Sequence, residues 1–517
     1  MTEPEVIYRS EGSTPSEKYL AKLCDQSFLK LWSYTNVYVD RRKGGKGDGK
    51  ELCDLLVVCG DYVLIFSDKT IGWQGDENIE LSWRRWFNRA IHHSARQIRK
   101  AERWIEQLAD KIYLDKACTK PFPYTLPPPA RRKVLGIIVA LGASSACKKY
   151  FGESTGSLML LPEIKGLSHL KDGSAPPFAV GDIDPDGPFI HVLDDVTLDI
   201  VLSELDTVTD FASYLERKAA FFRSGKLLSA GGEEDLLSYY LTHMNKANEH
   251  DFTRPDGMPL RENDHISIET GNYIQFRRNP QYLEKKRADE YSYIWDQLIE
   301  MFTDHMRAGT TIVPNGEPFV LSDYEKAVRY MALVNRFNRR LYGKAIHEAI
   351  NIGRDAPRFT RSFLPGDHAA DRETAFFFMT LARPNFELEN GYEQYRAVRR
   401  RKLETYALGL LHEYKTLRRV VGIGTEPSGT GSSSEDLIFV DDIEWTDDLV
   451  KSVEERKEIY GIMQPERMIK RPVREDEYPA VSGGFRGPMS QGAEPPQMNR
   501  RQRRAMKARE RKNKTVT

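Results

Sequence analysis

Net charge is the first thing this 517-residue chain lacks: its 76 Lys and Arg are matched by 76 Asp and Glu. With no global field to draw it to a polyanion, any basic binding surface must be local. Cysteine is scarce too. The five, Cys24, Cys53, Cys59, Cys118 and Cys147, are odd in number and form no C-x-x-C. That argues against a disulfide framework or a structural zinc site and for reduced, buried thiols in a cytoplasmic protein. No apolar run approaches the ~20 residues that span a bilayer, so no membrane partner is expected. The longest candidate, "VLGIIVALGA" at 134–143, has the length and β-branching of a buried strand. The opening "MTEPEVIYRSEGS" has no basic stretch followed by an apolar one, so no secretion signal is expected. There is no internal repeat. A hydrophobic content of 40% with 29% charge is that of a globular chain, and the length suggests two or three domains.

What is present first is an α/β pattern. Thr14-Pro15-Ser16-Glu17 reads as a capping box with Pro at the first helical position. Leu20, Leu23, Cys24, Ser27 and Leu31 then fall on one helical face. "NVYVD" at 36–40 alternates like a short strand. After the Gly/Lys-rich turn "RRKGGKGDGK" come two apolar runs, Leu52–Cys59 and Tyr62–Phe66, joined at Gly60-Asp61 as in a hairpin. A long amphipathic helix is expected over 83–108 and a strand over 134–142. The order is αβββαβ.

From about 195 to 415 helices dominate, with one expected over 201–222. Others carry Tyr291 to Phe302 and Tyr324 to Val334. Strand character returns at 418–427 and 436–445. Three segments are expected: an α/β domain at 10–190, a mainly helical α+β domain at 195–460, and a disordered Pro/Gly/Arg-rich tail at 464–517. Nine basic residues lie between Arg500 and Lys514, a run suited to salt-dependent phosphate attraction.

The chemistry sits at the charged ends of the hairpin. Asp54 interrupts an apolar run, where an unpartnered acid is costly. An antiparallel hairpin turning at 60–61 sets Asp54 opposite Ser67 and beside Lys69. A carboxylate and an amine so placed suit phosphodiester hydrolysis. The acid binds Mg²⁺ or Mn²⁺, which lowers the pKa of bound water, and the amine stabilises developing charge.

This order, with an Asp opening the second strand and an acid–Lys pair closing the third, resembles the PD-(D/E)XK restriction-endonuclease-like superfamily, in its Mrr-like or NERD-like flavour, over residues 10–150. The resemblance implies a metal-dependent nuclease acting on nucleic acid, DNA above all, in the setting of a bacterial defence system. It implies catalytic roles for Asp54, Asp68 and Lys69, with Glu17 on the first helix and Gln97 in "SARQIRKAERW" joining them, and a metal held by Asp54, Asp68 and Glu51.

The chain departs from (Asp/Glu)-x-Lys in having Ser67-Asp68-Lys69. Strand alternation turns Asp68 away from Lys69 unless a bulge intervenes. The second carboxylate then comes from Asp68 through a local twist, or from Glu51 or Glu17, or the site is incomplete. The alternative function is therefore a catalytically inactive nucleic-acid-binding or protein-interaction module of the same fold. "GGKGDGKE" resembles a P-loop, but Glu51 replaces Ser/Thr and a strand follows. It is read as a turn whose Lys43, Lys46 and Lys50 face phosphate. His92 and His93 are adjacent on a helix and cannot share a metal.

Overall fold

A computed structural model describes residues 7–41, 48–75, 78–152, 154–311, 321–366, 371–383, 391–428, 434–473 and 475–480. Helix α1 (Pro15–Ser27) begins where the capping box sets it. The Thr14 side chain accepts the Glu17 N–H, and the Glu17 carboxylate accepts the Thr14 N–H, which satisfies donors that the first turn leaves free. Strands β1 (Ser33–Val39), β2 (Lys50–Cys59) and β3 (Tyr62–Thr70) follow. Leu55 through Cys59 pair antiparallel with Phe66 through Tyr62. Gly60 makes the turn at φ 61°, a backbone shape that side chains disfavour.

The helix expected over 83–108 is longer and broken. Helix α2 (Ile79–Phe87) starts earlier, because the Asn78 side chain caps it by accepting the Leu81 N–H. A π-helical turn over Asn88–His92 then leads into α3 (His93–Gln107). Strands β4 (Ile112–Tyr113) and β5 (Lys133–Leu141), helix α4 (Ser144–Phe151), and strands β6 (Met159–Lys165), β7 (Ala179–Asp182) and β8 (Ile190–Asp194) complete this half. The main sheet runs β4-β1-β2-β3-β5-β8. β3, β5 and β8 are mutually parallel, and the remaining pairs are antiparallel. The chain is thus mixed α/β.

Alternation along β2 and β3 divides the core in two. Leu56, Val58, Val63 and Ile65 pack beneath α2 and α3 with Trp83, Ile91 and Ile98. Gly136 on β5 lets α3 settle close, since a Cβ there would lie 2.5 Å from the Ile98 methyl. Leu55, Val57, Leu64 and Phe66 face the other way, into a core continued by residues from Val208 to Ile423. Phe28 and Phe66 both meet Phe211 there, at 5.1 and 6.3 Å between ring centres. The Trp32 indole N–H donates to the Glu325 carboxylate at 2.7 Å.

The single helix expected over 201–222 is two, α5 (Thr197–Glu204) and α6 (Val208–Arg223). Thr207 caps the second by accepting the Asp210 N–H, so "LDTVTD" ends one helix and starts another. Strand β9 (Leu227–Ala230), helix α7 (Glu233–Thr242) and β10 (Ile266–Ile268) come next. A four-stranded sheet, β10-β9-β6-β7, takes strands from both sides of residues 190–195, where a boundary was expected. Helices α8 (Asn272–Arg278), α9 (Pro280–Ala288), α10 (Ser292–Arg307), α11 (Leu321–Ala332) and α12 (Arg336–Ile352) follow.

A third sheet, β11-β12-β13-β14, is built from β11 (Arg358–Phe363), β12 (Thr374–Leu381), β13 (Arg419–Thr425) and β14 (Asp436–Asp441). Among the described residues the last two α-helices are α13 (Gly391–Glu413) and α14 (Asp447–Tyr460). The apolar run of β12, buried along its whole length, is a strand paired on both sides within a stretch expected to be mainly helical.

All five cysteines are free and buried. Among the described residues no helix is long and apolar enough to cross a membrane. Residues 481–517, with the basic run of the expected tail, and Lys43 and Lys46 of the Gly/Lys-rich turn lie outside the described residues. His191 on β8 is fully buried, and neither ring nitrogen has a hydrogen-bond partner among the described residues. Burial, with the charges of Lys218 and Arg223, holds its pKa well below the ordinary 6.5.

Candidate active site

Where β2 and β3 part beyond the Leu55–Phe66 pair, Asp54 reaches across the gap. Its carboxylate accepts the Asp68 backbone N–H at 2.6 Å, and the residue is only 8% exposed. Burial pushes its pKa up to about 6, against the opposing pull of the Lys69 ammonium and of that N–H. Asp54 and Lys69 therefore act on each other, as their spacing suggested. Gln97 on α3 also reaches the hairpin: the Ser67 hydroxyl donates to its side-chain oxygen at 3.2 Å.

Asp68 points to the other side of the sheet. Burial raises its pKa, opposed by a hydrogen bond from Ser16 on α1, while the charge of Glu17 raises it further. Its Oδ1 is buried with no hydrogen-bond partner among the described residues. Ser67 meets α3 and Asp68 meets α1, so alternation holds and no bulge at this point brings Asp68 round to Lys69.

Asn36 organises the remaining acids, and it is a residue the motif did not indicate. It sits at φ 51°, left-handed, just before a register shift between Val37 and Tyr38. Its amide donates to Glu17 and to Glu51, at 3.0 Å each. Glu17 also accepts the Ser13 and Thr14 N–H groups. Burial raises its pKa, but the Asn36 amide and those backbone donors outweigh it and leave the group lowered. Glu17 is thus committed to the helix cap and to Asn36.

These placements decide the fit of a metal. The carboxylates of Asp54, Asp68 and Glu51 were expected to share one ion. Asp54 lies at the parting of β2 and β3, Asp68 is turned toward α1, and Glu51 is exposed and held by Asn36. Among the described residues no group of three or more His, Cys, Asp or Glu side chains is gathered as a metal site. The donor set in this arrangement does not fit a three-carboxylate Mg²⁺ or Mn²⁺ site.

What the structure does gather is cationic. A groove of about 470 Å³ opens beside Lys69 and Ile71 at the end of β3. Its other wall is Arg89, His93, Arg96, Gln97 and Lys100, and no lining residue is acidic. His93, Arg96, Gln97 and Lys100 share one helical stripe, opposite the stripe of Ala95, Ile98 and Ala101 that packs on the sheet. Arg89 joins them from within the π-helical turn, a local device often found at functional sites. The signal was present in "NRAIHHSARQIRK" as cations at helical spacing. Of that stretch only Gln97 is given a role by the resemblance, and His92 and His93 are set aside.

The chain matches no protein-family model, no curated protein and no solved structure.

Proposed function

We propose that the chain binds nucleic acid, with DNA as the leading candidate, along the cationic groove, and that Asp54 and Lys69 hydrolyse a phosphodiester lodged at its inner end. The observation that carries this reading is the groove itself. Lys69, Arg89, Arg96 and Lys100 line it without an acid among them, in a chain of zero net charge, and such local concentration is what phosphate binding uses. The αβββαβ order and the Asp54–Lys69 proximity favour a nuclease of the PD-(D/E)XK kind.

In that reading Asp54 is the base. A carboxyl at about 6 is ionised at neutral pH and basic enough to take a proton from water. The hydroxide oxygen bonds to phosphorus as the bond to the leaving oxygen breaks, and solvent protonates that oxygen. Lys69 neutralises the charge that gathers on the phosphoryl oxygens. Gln97 holds Ser67 and fixes α3 against the hairpin. No step is routed through a metal.

A second reading, a binding module without catalysis, is favoured by Ser67 standing where the motif has an acid and by the divergence of Asp68 from Lys69. A plasmid-nicking assay with Mg²⁺, with Mn²⁺ and with chelator, run beside a gel shift, separates the two. Hydrolysis is expected to vanish in Asp54→Ala and in Lys69→Ala while the gel shift survives in Asp54→Ala. Nicking that persists undiminished in both variants refutes the site. A gel shift without nicking under any metal establishes the module.

A further inference from the structure

A chain of packed aromatic rings links one wall of the groove to a second surface of different character. Helix α4 ends in Lys148-Lys149-Tyr150-Phe151, all four exposed, with the two rings 43% and 39% open to solvent. The rings lie edge to face, 4.9 Å between centres. They are backed by Phe178, which is fully buried and 5.4 Å from Tyr150. Phe178 also contacts Trp73 at 4.9 Å and Trp83 at 5.2 Å.

From there the layer leads back to the groove. Trp83 stacks on Trp86 at 5.4 Å, and the Trp86 indole N–H donates to the carbonyl of Ile71 at 2.8 Å. Ile71 is itself a wall of the groove. An exposed aromatic pair next to two lysines is thereby tied, through packed rings, to one wall of the cationic groove.

We propose that this platform takes the unpaired bases of single-stranded nucleic acid whose backbone runs through the groove. The inference rests on the groove being a phosphate-binding surface and adds the substrate class. Two features argue for it. Solvent-open rings can stack only on bases that are not already stacked and paired within a duplex, and such stacking tolerates any sequence. The exposed lysines at 148 and 149 stand next to the rings and set positive charge beside them, as a strand alternating phosphate and base requires. A duplex could use the cations but would leave the rings idle.

The test is fluorescence anisotropy of the full chain, in chelator, with a labelled oligothymidylate and with a labelled hairpin duplex, over a range of salt. Wild type is expected to favour the single strand. Tyr150→Ala/Phe151→Ala, a change to two exposed positions, is expected to weaken oligothymidylate binding about tenfold or more. Duplex affinity and the salt slope should stay as they are. Lys100→Ala should weaken both ligands and reduce the slope. Preference for duplex, or equal losses on both ligands in the aromatic variant, overturns the inference and leaves the groove reading intact. Binding to neither ligand by wild type overturns both, and leaves the aromatic face to a protein partner.

Discussion

The carboxylate of Asp54 accepts the backbone N–H of Asp68 at 2.6 Å, across the point where two strands separate. One bond thus ties the acid to the main chain of the residue beside Lys69, and fixes where the acid and the amine stand relative to each other. The same burial that positions Asp54 disfavours its charge.

Asp54 should therefore cost stability. In the unfolded chain it loses its proton near 3.8, and in the fold near 6. Between those values the unfolded state binds fewer protons, so stability falls as pH rises through the window and stays reduced above it. Asp54→Asn is expected to raise stability at pH 8 by on the order of 1–3 kcal/mol. The gain should disappear below about pH 4. Denaturant melts at the two pH values check this. Mg²⁺ should affect the melting temperatures of wild type and the Asn variant alike, because among the described residues the carboxylates are not gathered to hold it.

The groove cations should behave as phosphate contacts and not as sequence readers. Arg96→Ala and Lys100→Ala are each expected to weaken binding uniformly across sequences. Each should lower the slope of log K against log salt by about 1. A variant that alters sequence preference at constant slope would contradict the assignment.

His191 supplies an acid-sensitive point outside the groove lining. Its folded pKa lies well below 6.5, because burial and the charges of Lys218 and Arg223 oppose protonation. The unfolded chain takes up the proton first. Stability conferred by the neutral ring is therefore intact above 6.5 and falls by up to about 1.4 kcal/mol per pH unit below it. His191→Leu is expected to flatten that part of the profile, measured as the difference from wild type in urea melts between pH 4.5 and 7.5. Parallel profiles would show that His191 does not govern the acid limb.

Local signals were legible in the sequence where a single element decides them. The capping box at Thr14, the Gly60 turn and the pairing of Leu55 with Phe66 all follow from neighbouring residues. The placement of Asp54 near Lys69 likewise follows from spacing along one hairpin, whereas Gln97 came from the family resemblance. Two kinds of feature were not legible. The role of Asn36 depends on a left-handed backbone and a register shift that bring Glu17 and Glu51 together from separate elements. Strand β12 was hidden because its run of Ala, Phe, Met and Thr has no alternation, being covered on both faces. The π turn in the helix after β3 is equally silent, since its residues are ordinary helix formers there.

The Trp32–Glu325 hydrogen bond and the ring contacts of Phe28 and Phe66 with Phe211 also bear on how the molecule can be divided. They lie on the face of the main sheet away from the groove, and their partners come from beyond residue 200. A fragment ending near residue 195 would keep every groove residue yet lay bare a large oily underside, and would be prone to clump before it could be assayed. The later helices thus act as a fitted lining for the main sheet, and a negative result from such a truncated piece would report on its solubility and not on the groove.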